Sequence, residues 1–133
     1  EEDDKEFLTI GKQALKEALK VAKEGNYIYD ISLVIQDCIK GAGYSIIQEL
    51  TGHGVGRSLH EDPFIPGYVS GKRKRTPQIK IGMVLALEVI YSRSSSQIVL
   101  ESDGWSYRTK DKSLAACFEH SIAISDNGPL ILT

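Results

Sequence analysis

The sequence predicts an α+β fold, a helix pair packed on an antiparallel sheet. Up to about position 40, apolar residues recur at the three- and four-residue steps of helices. Beyond Gly43 the period falls from 3.6 to 2, the alternation of strands. Helices gathered first and strands second point to α+β, not to the βαβ order of parallel sheets.

The first helix is expected from about Phe7 to Lys23, with Leu8, Gly11, Leu15, Leu19 and Ala22 as its apolar stripe. Lys12, Lys16, Glu17, Lys20 and Lys23 fall on the wet face, and the acidic start suits the positive end of the helix dipole. Gly25-Asn26 is a stop signal, because both residues tolerate the left-handed conformation that ends helices. A second helix follows from about Asp30 to Lys40, its stripe made of Ile31, Val34, Ile35, Cys38 and Ile39, with Gly41 and Gly43 closing it. The short link makes the two antiparallel. Strand patterns run over Tyr44–Leu50, Met83–Tyr91, Gln97–Glu101, Trp105–Thr109, Leu114–Ser125 and Leu130–Leu132, with Asp103-Gly104 as a hairpin turn. Between the first two strands, Gly52–Ile81 reads as irregular and holds three of the four prolines. A loop of that length in a compact domain is usually functional.

At 133 residues the chain has the length of one domain. Its 41% apolar and 26% charged residues exclude a disordered tail, a collagen-like fibre and a small disulfide scaffold. No apolar run approaches the ~20 residues that span a bilayer, so no membrane partner is expected. The acidic start shows neither a signal nor a transit peptide, and the missing initiator Met reads as processing or excision. Sixteen basic against eighteen acidic residues leave a net charge of -2, which speaks against a general nucleic-acid surface. One basic run, Lys72-Arg73-Lys74-Arg75, reads as a solvated loop tip, with a localisation or nucleic-acid patch as the alternative. Cys38 and Cys117 have no ligand spacing and are expected as reduced thiols in a cytoplasmic protein.

Three residues stand out chemically. His53 sits in Gly52-His53-Gly54-Val55-Gly56, where the glycines let the backbone turn tightly beside a reachable imidazole. Glu88 lies within the apolar run Met83–Tyr91, and Glu119 within Ala115–Ile124. A carboxylate among apolar side chains is costly unless a cation neutralises it. Singly, each has a plain alternative: a backbone-bonded loop histidine, and two glutamates on the wet face of a half-buried sheet. Together they are the imidazole and carboxylate donors that divalent first-row metals select, and on spacing alone both readings stay open. His60 lies seven residues past His53, before Pro63, which excludes a local His-x-x-x-His metal motif. It is either a surface histidine or a donor to a substrate carbonyl. His120 follows Glu119 directly, so alternation sends it to the opposite face, in a structural or supporting role.

Four blocks in order resemble the type I methionine aminopeptidases: Gly52–Pro63, Gly82–Glu88, Asp103–Ser106 and Cys117–Ile122. Proline-specific aminopeptidases and prolidases share the general pattern, but Phe118-Glu119-His120-Ser121 and the Arg57–Pro63 stretch fit the methionine branch better. The resemblance implies a pita-bread fold and a dinuclear divalent-metal site. His53, Glu88 and Glu119 match three of its five protein ligands, Glu119 at the bridging position. His60 matches the histidine that bonds the substrate near the scissile bond, and Glu88 doubles as a group that manages protons. Leu59 and Trp105 match positions lining the pocket for the N-terminal side chain. In the implied reaction, metal-activated water attacks the first peptide carbonyl of an N-terminal methionyl peptide.

The remaining two ligands of that family are aspartates from a hairpin in a preceding half-fold. Asp3 and Asp4 lie before a helix and are poor substitutes, and Val89 follows Glu88 where the family usually has proline. Residues 1–133 are therefore expected to be the C-terminal half of such a catalytic domain, with the helix pair at about 7–40 and the sheet and active-site loops at about 44–133. Two metals (Mn, Fe, Co or Zn) are implied for the complete enzyme and zero or one for this chain, with little activity alone. Its expected partner is the N-terminal half or a second copy of the chain. The alternatives are a non-catalytic module that binds peptide N-termini or a protein, and a proline-specific relative.

Overall fold

The computed structural model describes residues 2–133. Helix α1 spans Glu2–Val21 and helix α2 spans Ile28–Gly41. The first helix starts a turn earlier than its apolar pattern suggests, so Asp3 and Asp4 are helical and do not precede the helix. Their charges suit its positive end, and Asp4 also takes a 2.7 Å ion pair from Arg93. The buried stripe is Phe7, Gly11, Ala14, Leu15, Ala18 and Ala22, while Leu8 is 41% exposed. Phe7 and Leu8 are adjacent apolar residues, and periodicity alone cannot choose between them. Phe7 wins because its ring packs on Tyr44 at 5.0 Å and on Tyr91 at 4.6 Å.

Eight strands follow: β1 Ser45–Ile46, β2 Gly52–Gly54, β3 Glu61–Ile65, β4 Val84–Ser92, β5 Ile98–Leu100, β6 Tyr107–Thr109, β7 Ala115–Ser125 and β8 Gly128–Ile131. The main sheet is antiparallel with order β3-β2-β4-β7-β8, and β1 pairs the far end of β4. β5 and β6 form a separate ribbon. Two expectations change here. The strand expected over Tyr44–Leu50 shrinks to two residues, because one edge of β4 is shared between β1 and β2. The Gly52–Ile81 stretch, expected to be irregular, contributes β2, β3 and a 3-10 turn at Arg73–Arg75.

The two faces of the sheet divide the work. Leu85, Leu87, Val89, Tyr91 and Ile122 are fully buried against the helices. The alternate residues Ala86, Glu88 and Ile90 face the other way, opposite Ser121, Glu119 and Cys117 of β7. Among the described residues no helix is long and apolar enough to cross a membrane.

Gly11 is where α1 approaches the sheet most closely. The Tyr91 hydroxyl donates to the Phe7 carbonyl at 2.5 Å and accepts the Gly11 N–H at 3.1 Å, bridging a pair that would otherwise close one helical turn. Burial of that hydroxyl, with Tyr44 nearby, pushes its pKa up to about 12. A Cβ at Gly11 would overlap Tyr91 and lie 2.5 Å from the Phe118 ring. Gly11→Ala should therefore destabilise the chain by about 1–3 kcal/mol, despite the ~1 kcal/mol of helix propensity gained. Urea unfolding checks this, and adding Tyr91→Phe should recover part of the loss as a non-additive term.

The basic run is solvated as expected, but one of its four cations is tied down. Arg73 grips the Asp30 carboxylate with two hydrogen bonds of 2.7 Å and lies 4.5 Å over the Tyr27 ring. Asp30 also accepts the Tyr27 N–H at 2.8 Å, half of a capping box at the start of α2. The Arg73 guanidinium thus holds the Asp30 carboxyl below its ordinary value, offset in part by burial and helped by the Tyr27 bond. A depressed carboxyl contributes stability above its unfolded pKa of about 3.9 and loses it as pH falls through the folded value. Asp30→Asn should cost about 1 kcal/mol at neutral pH. In thermal melts from pH 7 to pH 3, its gap from the parent should hold above about pH 4 and close below.

Candidate metal centre

Strand β2 consists of Gly52, His53 and Gly54, and both glycines are required by crowding. A Cβ at Gly52 would run into the Ala86 carbonyl oxygen and lie 3.2 Å from the Glu88 amide nitrogen. One at Gly54 would overlap the Asp62 carbonyl and lie 2.9 Å from the Glu61 carbonyl oxygen. β2 is thus pressed between β3 and β4, with a register shift between His53 and Gly54. That squeeze fixes the His53 backbone and leaves its side chain 7% exposed.

His53 pairs with Ala86 in register, so its ring lies diagonal to Glu88 on the face turned away from the helices. Nδ1 lies 2.8 Å from the Gly54 carbonyl oxygen, and a carbonyl only accepts, so Nδ1 carries a proton. Nε2 lies 3.2 Å from Glu88 Oε1. With Nδ1 committed as a donor, that second contact is favourable only with a proton or a cation between the two atoms. Glu88 is directly opposite Glu119 across β4 and β7. Burial first, and then the Glu119 charge, raise the Glu88 pKa, while His53 pulls it down.

The other residues singled out in the sequence lie close by or stand in solvent. The His60 ring, on an exposed loop, is 4.2 Å from the His53 ring. Leu59 is 71% and Trp105 85% exposed. The turn before Trp105 is firmly built even so. Asp103 accepts a 2.6 Å hydroxyl bond from Ser106 and the N–H groups of Trp105 and Ser106 at 2.9 and 2.8 Å, which lowers its pKa. His120 falls on the helix-side face, opposite Leu87, with Nδ1 2.7 Å from the Thr133 carbonyl oxygen.

Cys117, read from the sequence as a reduced thiol without ligand spacing, shares the face of Glu119 two residues away, a placement that simple alternation also gives. Both cysteines are free. Cys117 lines an apolar cavity of about 240 Å3 with Ile47, Leu50, Ile90 and Tyr107. Burial, and then the Glu88 and Glu119 charges, push its thiol up to about 11.

Chemically, an imidazole nitrogen and two carboxylates on one face suit a divalent first-row ion. Such an ion would offset both the Nε2 to carboxylate repulsion and that between the glutamates. The Gly54 carbonyl supplies the supporting bond that metal-bound histidines commonly make through their second nitrogen. The arrangement is incomplete, however: among the described residues no three His, Cys, Asp or Glu side chains gather closely enough to hold a metal. The donor chemistry fits a metal, and the number of donors falls short of a closed site.

Comparison with known proteins identifies the family. Residues 1–126 match the model of metallopeptidase family M24. The methionine aminopeptidase of Aquifex aeolicus is 41% identical over 127 residues, which cover 96% of this chain and 49% of that protein. Methionine aminopeptidase 1 of Bacillus subtilis is 40% identical over 132 residues, covering 99% and 52%. The crystal structure of the Thermotoga maritima methionine aminopeptidase superposes with a TM-score of 0.92 at 39% identity, over 98% of this chain and 52% of that one. This chain spans about half the length of the relatives it matches. Its helix pair and antiparallel sheet, closed over by so deep a likeness, are those of the pita-bread fold, and the chain belongs to metallopeptidase family M24.

Proposed function

We propose that residues 1–133 are the C-terminal half of a methionine aminopeptidase-type domain that removes methionine from peptide N-termini in the cytoplasm. His53, Glu88 and Glu119 would hold the divalent metal, with Mn, Fe, Co and Zn all suited to these donors. When bound, such a metal lowers the pKa of a coordinated water and polarises the substrate carbonyl. The remaining work falls to the chain. The Gly54 carbonyl keeps the proton on His53 Nδ1 and so turns Nε2 toward the centre. His60, beside the His53 ring, donates to the carbonyl of the first peptide bond. Glu88, whose pKa is raised by burial and by the Glu119 charge, would take up and return the proton of the attacking water. Leu59 and Trp105 contribute apolar surface to the N-terminal side chain.

The observation that carries this reading is the His53–Glu88 contact, with Nδ1 already spent and Glu119 directly across from Glu88. The test is complementation. The chain alone with Mn(II) or Co(II) should release little methionine from a Met-peptide. Adding the separate N-terminal half of a close relative should raise release at least tenfold. No gain in a folded mixture would overturn the proposal, and metal uptake without hydrolysis would mark a binding module instead.

A further inference from the structure

The basic turn is a feature of the sequence that the metal centre leaves unused, and its setting is specific. Arg73 is consumed by Asp30 and Tyr27, which fixes the 3-10 turn against the start of α2. Lys72, Lys74 and Arg75 are exposed and make no side-chain hydrogen bond or ion pair among the described residues. Fixing one cation of four therefore presents the other three in a held arrangement. The local carboxylate, Asp30, is already neutralised by Arg73, so this corner is basic on a chain of net charge -2.

Arg75 also lines a cavity of about 240 Å3 with Tyr29, Tyr68, Ser70 and Thr76. Among the described residues neither tyrosine hydroxyl makes a hydrogen bond, and both residues are half-buried, with part of each in the cavity wall. The start of α2 is not the receptor for an anion. Its Ile28 and Tyr29 amides are bonded to the Pro77 carbonyl at 2.9 Å and to Thr76 Oγ1 at 3.1 Å. The anion-attracting groups are the side chains of the turn.

We propose that Lys72, Lys74 and Arg75, with the tyrosine-lined cavity beside them, form a binding site for single-stranded nucleic acid. Cations that track a backbone beside aromatic side chains are what single strands need, since their unpaired bases stack and their phosphates attract. A duplex keeps its bases stacked inward and would use the cations only. The turn rises about 2 Å per residue, so the backbone positions that carry the three cations lie within about 6 Å along its axis, which suits two or three phosphates. The site is separate in chemistry from the metal reading, and neither depends on the other.

The test is fluorescence anisotropy of the 133-residue chain with a labelled 12-nucleotide oligo(U), across a salt series. Binding should weaken with salt at a slope of log K against log[salt] near −2, the value for about three phosphates on a single strand. The triple variant K72Q/K74Q/R75Q should lose at least tenfold in affinity and flatten that slope. Tyr29→Leu should weaken binding about fivefold or more with the slope unchanged, which a purely ionic patch would not show. The control K16Q/K23Q/K40Q should bind as the parent does. Thermal melts of each variant confirm that the changes act on binding and not on folding. No binding by the parent, equal losses in both triple variants, or equal affinity for duplex of the same length would each overturn the proposal. So would a preference for an acidic peptide over oligo(U).

Discussion

Glu88→Gln is expected to abolish the stabilisation of this chain by divalent metal while leaving the metal-free protein as stable as the parent, or more so. In the metal-free chain the charged Glu88 is a liability. It is largely buried, faces Glu119 across the strand pair, and meets an imidazole nitrogen whose partner nitrogen already holds the proton. Glutamine has the same shape and no charge. Its amide N–H donates to His53 Nε2, so one repulsion disappears and one hydrogen bond forms. A metal that binds only the folded state at 100 times its Kd adds about 2.7 kcal/mol, and the parent should show that gain. The variant should show none of it, because a neutral amide is a far poorer metal donor than a carboxylate. Thermal melts in excess Mn(II) and in chelator measure both quantities. A variant that melts well below the parent without metal would make Glu88 a structural residue. One that still gains from Mn(II) would remove it from the ligand set. Stability surrendered at a functional position is the expected mark of such a site.

Gly54→Ala and Gly56→Ala should differ sharply although they lie two residues apart in one glycine-rich loop. At Gly54 an added Cβ meets only backbone, the Asp62 carbonyl group and the Glu61 carbonyl oxygen. Neither can move without unpairing β2 from β3. At Gly56 the added Cβ meets the Glu61 carboxylate, the far end of a flexible side chain. That group can swing away at the cost of the 2.9 Å bond it accepts from the Ser58 N–H. Gly54→Ala should therefore cost about 2–3 kcal/mol, the upper part of the range for overpacking. Gly56→Ala should cost under about 1 kcal/mol, the worth of one exposed hydrogen bond. Guanidinium unfolding of the two variants in parallel decides it. Equal costs would mean that β2 is less tightly held than its spacing indicates. The Gly54 variant should also lose metal stabilisation, because His53 rides on the strand that must shift.

Much of this was legible in residues alone, for identifiable reasons. The helix pair and the long central strands follow from periodicity, which reports local geometry. His53, Glu88 and Glu119 stood out because glycine flanks and a lone carboxylate in an apolar run are rare and costly. What failed was phase and extent. Leu8 was given the place that Phe7 holds, since two neighbouring apolar residues look alike until a pair of tyrosines selects the aromatic one. The strand expected over Tyr44–Leu50 kept two residues, because partnership on an edge of β4 is a tertiary allocation. Arg73 looked like one solvated cation of four, and its bond to Asp30 joins positions 43 residues apart.

By itself, the sequence determined the α+β class, the two helices, and which imidazole and carboxylates are the candidates for the chemistry. Those properties rest on side-chain type and on spacing within one element. Only the tertiary structure decided that Glu88 and Glu119 stand opposite each other and that His53 meets Glu88 with its other nitrogen already occupied. Register between strands distant in sequence is set by the packing of Leu85, Leu87, Val89 and Tyr91 under the helices, which assigns Glu88 to the other face. The same pleat that buries the core sets the two carboxylates side by side.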